Sequence, residues 1–152
     1  MTPSVILLVE DNPDDAELTV RAFKMSHIAN EVVVVRDGVE ALDYLFARGT
    51  YTSRSVEDVP RVVLLDLNLP KVNGLEVLRA MRDDGRTALV PVVILTSSKE
   101  DEDVIQSYSL GANAYVRKPV NFSEFARAAK TLGLFWLLLN EHPIRPAPGG
   151  SK

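Results

Sequence analysis

The sequence predicts an α/β fold, a doubly wound (βα)5 domain on a five-stranded parallel sheet of order 2-1-3-4-5. Three observations lead to the alternating elements and the parallel sheet, for which the order 2-1-3-4-5 is taken. Short apolar runs dense in β-branched residues recur along the chain, each too short for a helix. Between them lie segments whose apolar residues fall at helical spacing. The runs are also continuous rather than alternating, as expected of strands covered on both faces.

Taken in order, strands are expected at residues 4–9, 31–35, 62–65, 92–96 and 114–116, and helices at 14–25, 39–48, 74–83, 99–109 and 123–139. Asn12 supplies a capping side chain and Pro13 suits a first helical position, while Gly111 stands where the fourth helix should stop. Residues 49–60, GTYTSRSVEDVP, lose both periodicities and read as a surface loop, long enough to suggest a function. One domain is expected over residues 1–140, followed by a loose Pro/Gly-rich tail at 141–152.

Composition narrows the function classes. A chain of 152 residues, 46% hydrophobic, suits one substantial core. Its net charge of -4 and mixed signs provide no basic stripe, so direct nucleic-acid binding is disfavoured. Without cysteine there is no disulfide framework and no thiolate chemistry. The greasiest segment, 132–139, is too short to span a bilayer, and a soluble cytoplasmic protein without membrane contact is expected.

The acids carry the most information. Glu10 and Asp11 follow the first strand and Asp66 follows the third. In an open doubly wound sheet, ligands bind beyond the carboxyl ends of the strands where strand order reverses, here between strands one and three. Three carboxylates facing one another there would repel unless a cation lay among them. Mg2+, or Mn2+ in its place, suits oxygen ligands and retained waters. Asp11 and Asp66 are expected as direct ligands, the Asn68 carbonyl as a third and Glu10 through water. Acids after a strand also commonly begin a helix, so this pattern alone does not decide. Thr96, ending the fourth strand, and Lys118, following the fifth, would bring a hydroxyl and an ammonium to the same edge. A cation, a lysine and a hydroxyl around one carboxylate are the parts that phosphoryl transfer needs.

With these residues in place, the sequence resembles the receiver domain of two-component response regulators up to about Leu139. The matching segments are VEDN, LLDLNLPKVNG, VVILTSS and GANAYVRKPV, all four in order at receiver-like separations. The resemblance implies that Asp66 is phosphorylated, that Glu10 and Asp11 help hold magnesium, and that Thr96 and Lys118 contact the phosphoryl group. It further implies a cis Lys118-Pro119 peptide and a switch in which Thr96 moves inward and Tyr115 turns into the vacated space. Glu-Asp stands here where many members have Asp-Asp, which lengthens the reach of the outer carboxylate. The chemistry implied is self-phosphorylation and autodephosphorylation only, in a signalling protein rather than an enzyme with turnover.

The expected last helix is apolar on more than one side. Phe122, Phe125, Ala129, Leu132, Trp136 and Leu139 form a stripe, and Leu134, Phe135, Leu137 and Leu138 lie off it. Such a patch suggests a homodimer through the fourth helix, fifth strand and fifth helix, extended by the C-terminal segment. The 49–60 loop and the Phe135-Trp136 pair resemble small regulators paired with phytochrome-type histidine kinases. The phosphoryl donor is then expected to be a phosphohistidine on such a sensor kinase.

Competing readings lead to different tests. A haloacid-dehalogenase-like phosphohydrolase also forms an aspartyl phosphate with magnesium, but its second aspartate would fall at Asn68. A flavodoxin-like FMN protein shares the sheet order, yet needs a hydroxyl-rich phosphate loop where this chain has Glu-Asp-Asn-Pro. A receiver-like interaction module signalling without phosphorylation is the third.

Overall fold

Ile6–Val9, Val32–Val35 and Val62–Leu65 contain nothing but isoleucine, leucine and valine, so each gains from cover on both sides, which is complete for the first and third and partial for the second. The computed structural model, which describes residues 5–25, 30–97, 101–117 and Arg127, shows how. Its elements are β1 (Ile6–Val9), α1 (Pro13–Met25), β2 (Val32–Val35), α2 (Gly38–Leu45), a 3-10 turn (Gly49–Tyr51), β3 (Val62–Leu65), α3 (Gly74–Asp83), β4 (Val92–Thr96), α4 (Asp101–Ser109) and β5 (Ala114–Arg117). All strand pairs are parallel and the order is β2-β1-β3-β4-β5, as predicted. Apart from Arg127, the last predicted helix and the tail lie outside the described residues.

Alternate residues of each strand enter opposite layers. Leu7, Val9, Val63, Leu65 and Ile94 pack with Ala41 and Leu45 of α2 and with Val77, Leu78 and Met81 of α3. Ile6, Leu8, Val62, Leu64 and Val93 pack instead with Ala16 and Phe23 of α1. Truncating a fully buried anchor such as Phe23 to alanine would cost about 3–5 kcal/mol.

The helix ends follow from local chemistry. Asn12 Oδ1 accepts from the amides of Asp14 and Asp15 at 2.9 and 3.1 Å, and Pro13 opens α1 where a missing N–H costs nothing. Asp37 and Asn73 cap α2 and α3 in the same manner. At the end of α4, Gly111 adopts φ +95°, and the Gly111 and Ala112 amides bond back to the carbonyls of Tyr108 and Ser107. This is a Schellman stop, at the glycine the sequence marked.

One expectation is corrected. α2 ends at Leu45 rather than at 48, because Ala47 takes φ 54° and Arg48 bonds back to the Asp43 carbonyl. It is the same stop, with alanine where glycine is usual. The 49–60 segment is the expected surface loop, and its own side chains pin it to α2. Tyr51 stacks edge-on against Tyr44 with centroids 5.1 Å apart, and its hydroxyl donates to Glu40 Oε2 at 2.8 Å. The Arg54 guanidinium lies 3.9 Å above the Tyr44 ring and bonds to the Tyr44 carbonyl.

Candidate functional site at the sheet switch point

The register places the acids. Val9 pairs with Leu65, so the residues that follow, Glu10 and Asp66, leave adjacent strands side by side. The ladder runs one step further at this edge, with the Asp66 amide donating to the Val9 carbonyl at 3.1 Å and the Glu10 amide to Val35 at 2.9 Å. From β1 the chain crosses to β2 on one side and then to β3 on the other, so the two acids flank the crevice where strand order reverses.

Glu10 and Asp66 are buried while Asp11 is exposed. One carboxylate oxygen from each lies within 4.8 Å of the others. At an effective dielectric of about 20, two such charges at 4.8 Å repel by about 3.5 kcal/mol, less where Asp11 meets solvent. Backbone and hydroxyl donors offset part of this. The Asn12 amide donates to Glu10 Oε2 at 3.1 Å, the Asn68 amide to Asp66 Oδ1 at 3.1 Å, and the fully buried Thr96 hydroxyl to the same Oδ1 at 2.6 Å. Hard carboxylate oxygens, open to solvent on the Asp11 side, suit a divalent cation of the magnesium type.

The structure therefore brings Glu10, Asp11, Asp66, Asn68 and Thr96 together. Tyr115 stands on β5, in register with Ile94 of β4, and its half-buried side chain packs against the larger core cluster. Lys118, Pro119 and their peptide bond, with Leu134, Phe135, Leu137 and Leu138, lie outside the described residues. Sequence reasoning missed two glycines. A Cβ on Gly74 would overlap the Asp66 carbonyl and stand 2.7 Å from Leu67 Cα, and one on Gly38 would overlap the Val72 carbonyl. The glycines themselves were readable, but the neighbours that require them come from distant segments.

Fold and site together define a doubly wound α/β domain with an acidic, cation-suited crevice at its switch point. Residues 6–130 match the response regulator receiver domain, and the chain belongs to that family. Membership sets aside the phosphohydrolase and flavodoxin-like readings. The response regulator Rcp1 of Synechocystis sp. is 39% identical over 135 residues, which cover 89% of this chain and 90% of that protein. The solved Mn2+-bound form of Rcp1 superposes with a TM-score of 0.87 at 38% identity, over 93% of this chain and 100% of that one. The phosphorylated cyanobacterial phytochrome response regulator RcpA gives a TM-score of 0.87 at 40% identity, over 94% and 100% of the two chains. The bacteriophytochrome response regulator RtBRR is 54% identical with a TM-score of 0.75, over 93% and 85%. Among the described residues, no helix is long and apolar enough to cross a membrane.

Proposed function

We propose that the chain is a cytoplasmic response regulator that accepts a phosphoryl group on Asp66 from a phosphohistidine of a phytochrome-type sensor histidine kinase. The observation that carries this reading is the buried Asp66 carboxylate, which accepts from Thr96 at 2.6 Å and shares its crevice with Glu10 and Asp11. An Asp66 oxygen attacks phosphorus in line as the phosphorus–nitrogen bond to the donor imidazole breaks, leaving an acyl phosphate on Asp66 and the imidazole on the kinase. Asp11, Asp66 and the Asn68 carbonyl would hold Mg2+ or Mn2+, with Glu10 acting through water. The cation supplies neutralisation of negative charge on the phosphoryl oxygens.

Thr96 and Lys118 then contact the added phosphoryl oxygens. Thr96 leaves its present bond to Asp66, and Tyr115 follows into the space. This biases a two-state surface by differential contacts. The readout is a homodimer through α4, β5 and the C-terminal segment bearing Leu134, Phe135, Leu137 and Leu138, with no direct nucleic-acid contact. Exposed Ile105 and Tyr108, three residues apart on α4, supply apolar area on that face. The only chemistry is the gain and loss of this one phosphoryl group. The relatives named for phytochrome signalling support the kinase assignment.

Intact-protein mass spectrometry after incubation with acetyl phosphate and Mg2+ tests the reading. A single magnesium-dependent phosphoryl addition, absent from Asp66→Ala, is expected. If neither protein is modified by acetyl phosphate or by a phosphorylated kinase, the receiver signals without phosphorylation.

A further inference from the structure

The segment from Leu67 to Asn73 joins the phosphoacceptor to α3, and its near end is fixed by Gly74, whose missing side chain lets the helix start against the Asp66 carbonyl. Its middle is fixed by a different element. The Gly38 amide, at the start of α2, donates to the Pro70 carbonyl at 3.3 Å. Val72 closes over the bare Gly38 Cα so tightly that an added Cβ would overlap the Val72 carbonyl and stand 2.6 Å from Val72 Cβ. Between these contacts Lys71 is held at φ 69°, a left-handed conformation that costs a non-glycine residue energy and persists where the surroundings enforce it. Its Nζ reaches Asp37 Oδ2 at 3.4 Å, while the other oxygen of Asp37 caps α2 by accepting from the Glu40 amide at 2.8 Å.

We infer that Gly38, latched by the Asp37–Lys71 ion pair, is a positioning residue for the phosphoacceptor loop, seating it so that Asn68 meets Asp66 in the geometry of the metal and phosphoryl site. The inference rests on the function proposed above. α2 lies outside the site, yet the loop bearing Asn68 is pressed into its first residue. An alanine at Gly38 forces the Val72 carbonyl back by roughly 1 Å or more before ordinary contact distance returns. Neither α2 nor the fully buried strands β1 and β3 can yield easily, so the displacement falls on the loop.

Three variants of the full chain test this. Gly38→Ala applies the collision, and Gly85→Ala is the control, since a Cβ there meets nothing within 4 Å. Asp37→Asn removes the ion pair while keeping a side chain able to cap α2. Two readouts need no phosphorylation: the amide resonance of Asn68 in the metal-free protein, and the Mn2+ dissociation constant from electron paramagnetic resonance of free Mn2+. Aspartyl-phosphate lifetime is the third.

Gly38→Ala is expected to shift the Asn68 amide and weaken Mn2+ binding by roughly tenfold, the effect typical of groups that orient a metal's ligands. Asp37→Asn should do so by about two- to fivefold, the scale of an ion pair exposed on its Lys71 side. Gly85→Ala should match wild type in both. A folded Gly38→Ala with a wild-type Asn68 amide and wild-type Mn2+ affinity overturns the inference. Should Gly38→Ala fail to fold, an Asp37→Asn variant unchanged in both readouts overturns it equally. A wild-type protein that is never phosphorylated defeats the proposed function instead, and leaves these two readouts to decide the role of Gly38.

Discussion

Thr96 Oγ1 donates to Asp66 Oδ1 over 2.6 Å, on the oxygen that also accepts the Asn68 amide. Both side chains are buried, so the bond serves a carboxylate with little water to replace it. Thr96→Val keeps the shape and removes the donor. Urea unfolding in chelator-treated buffer should show a loss of about 1.5–3 kcal/mol, as for hydrogen bonds to charged groups. An unchanged midpoint would mean that the hydroxyl contributes nothing to holding Asp66.

Mutual repulsion at the crevice makes the metal-free protein sensitive to any change in charge there. Asp11→Asn removes one of the three carboxylates without opening the core, since Asp11 is exposed. It should raise the metal-free Tm and abolish most of the stabilisation by Mg2+. In wild type that stabilisation should reach about 2.7 kcal/mol at a hundredfold excess over Kd. Thermal melts of both proteins across a Mg2+ series provide the check.

Arg82 anchors the other end of α3. Its guanidinium donates to the carbonyls of Val90 at 2.8 Å, Ala88 at 3.1 Å and Gly111 at 2.8 Å, and to Asn113 Oδ1 at 3.1 Å. Burial pulls its pKa below the ordinary arginine value. Arg82→Ala should cost about 3 kcal/mol by leaving several acceptors unsatisfied. Arg82→Lys should recover only part, because an ammonium lacks the planar fork. Equilibrium urea denaturation measures both.

The docked 49–60 loop should loosen in strong base. Burial first, and then the hydrogen bond to Glu40, push Tyr51 from 10.0 up to about 12. A folded-state pKa above the unfolded one means that the contribution is complete below pH 10 and is lost as pH rises towards about 12. Limited proteolysis within residues 52–58 should accelerate across that window in wild type. Tyr51→Phe should be cleaved faster at neutral pH, with a flatter dependence above pH 10.

Ser107 on α4 is fully buried, and its hydroxyl finds no hydrogen-bond partner among the described residues. Ser107→Ala deletes that unsatisfied group at almost constant volume. A gain of about 1 kcal/mol is expected, read as a rise in Tm.

The β3, α3 and β4 boundaries were legible because continuous apolar runs alternate with helical periodicity, while the sheet order follows from the receiver resemblance, since other doubly wound orders also cover both faces. The acids at Glu10, Asp11 and Asp66 were legible for a related reason, since strand ends fix position more firmly than helix ends do. Gly111 announced its stop, whereas the identical stop after α2 was hidden because Ala47 occupies the left-handed position. Nor does polarity reveal docking. Tyr51 and Arg54 sit in a segment with no sustained apolar period, and their partners Tyr44 and Glu40 come from α2. The glycines at 38 and 74 were visible as letters, while the carbonyls that require them are tertiary.

α3 is about 15 Å long, ten residues at the usual rise. It is clamped at one end by Gly74 against Asp66 and riveted at the other by Arg82 to Gly111. A beam fixed at both ends transmits load without travelling. In the switch proposed above, work done on Asp66 would find no outlet through α3 and would pass across β4, where Thr96 grips the same carboxylate, to the elements beyond it. In mechanical terms α3 is the frame of the proposed device, with α4 and β5 hung from its Arg82 end.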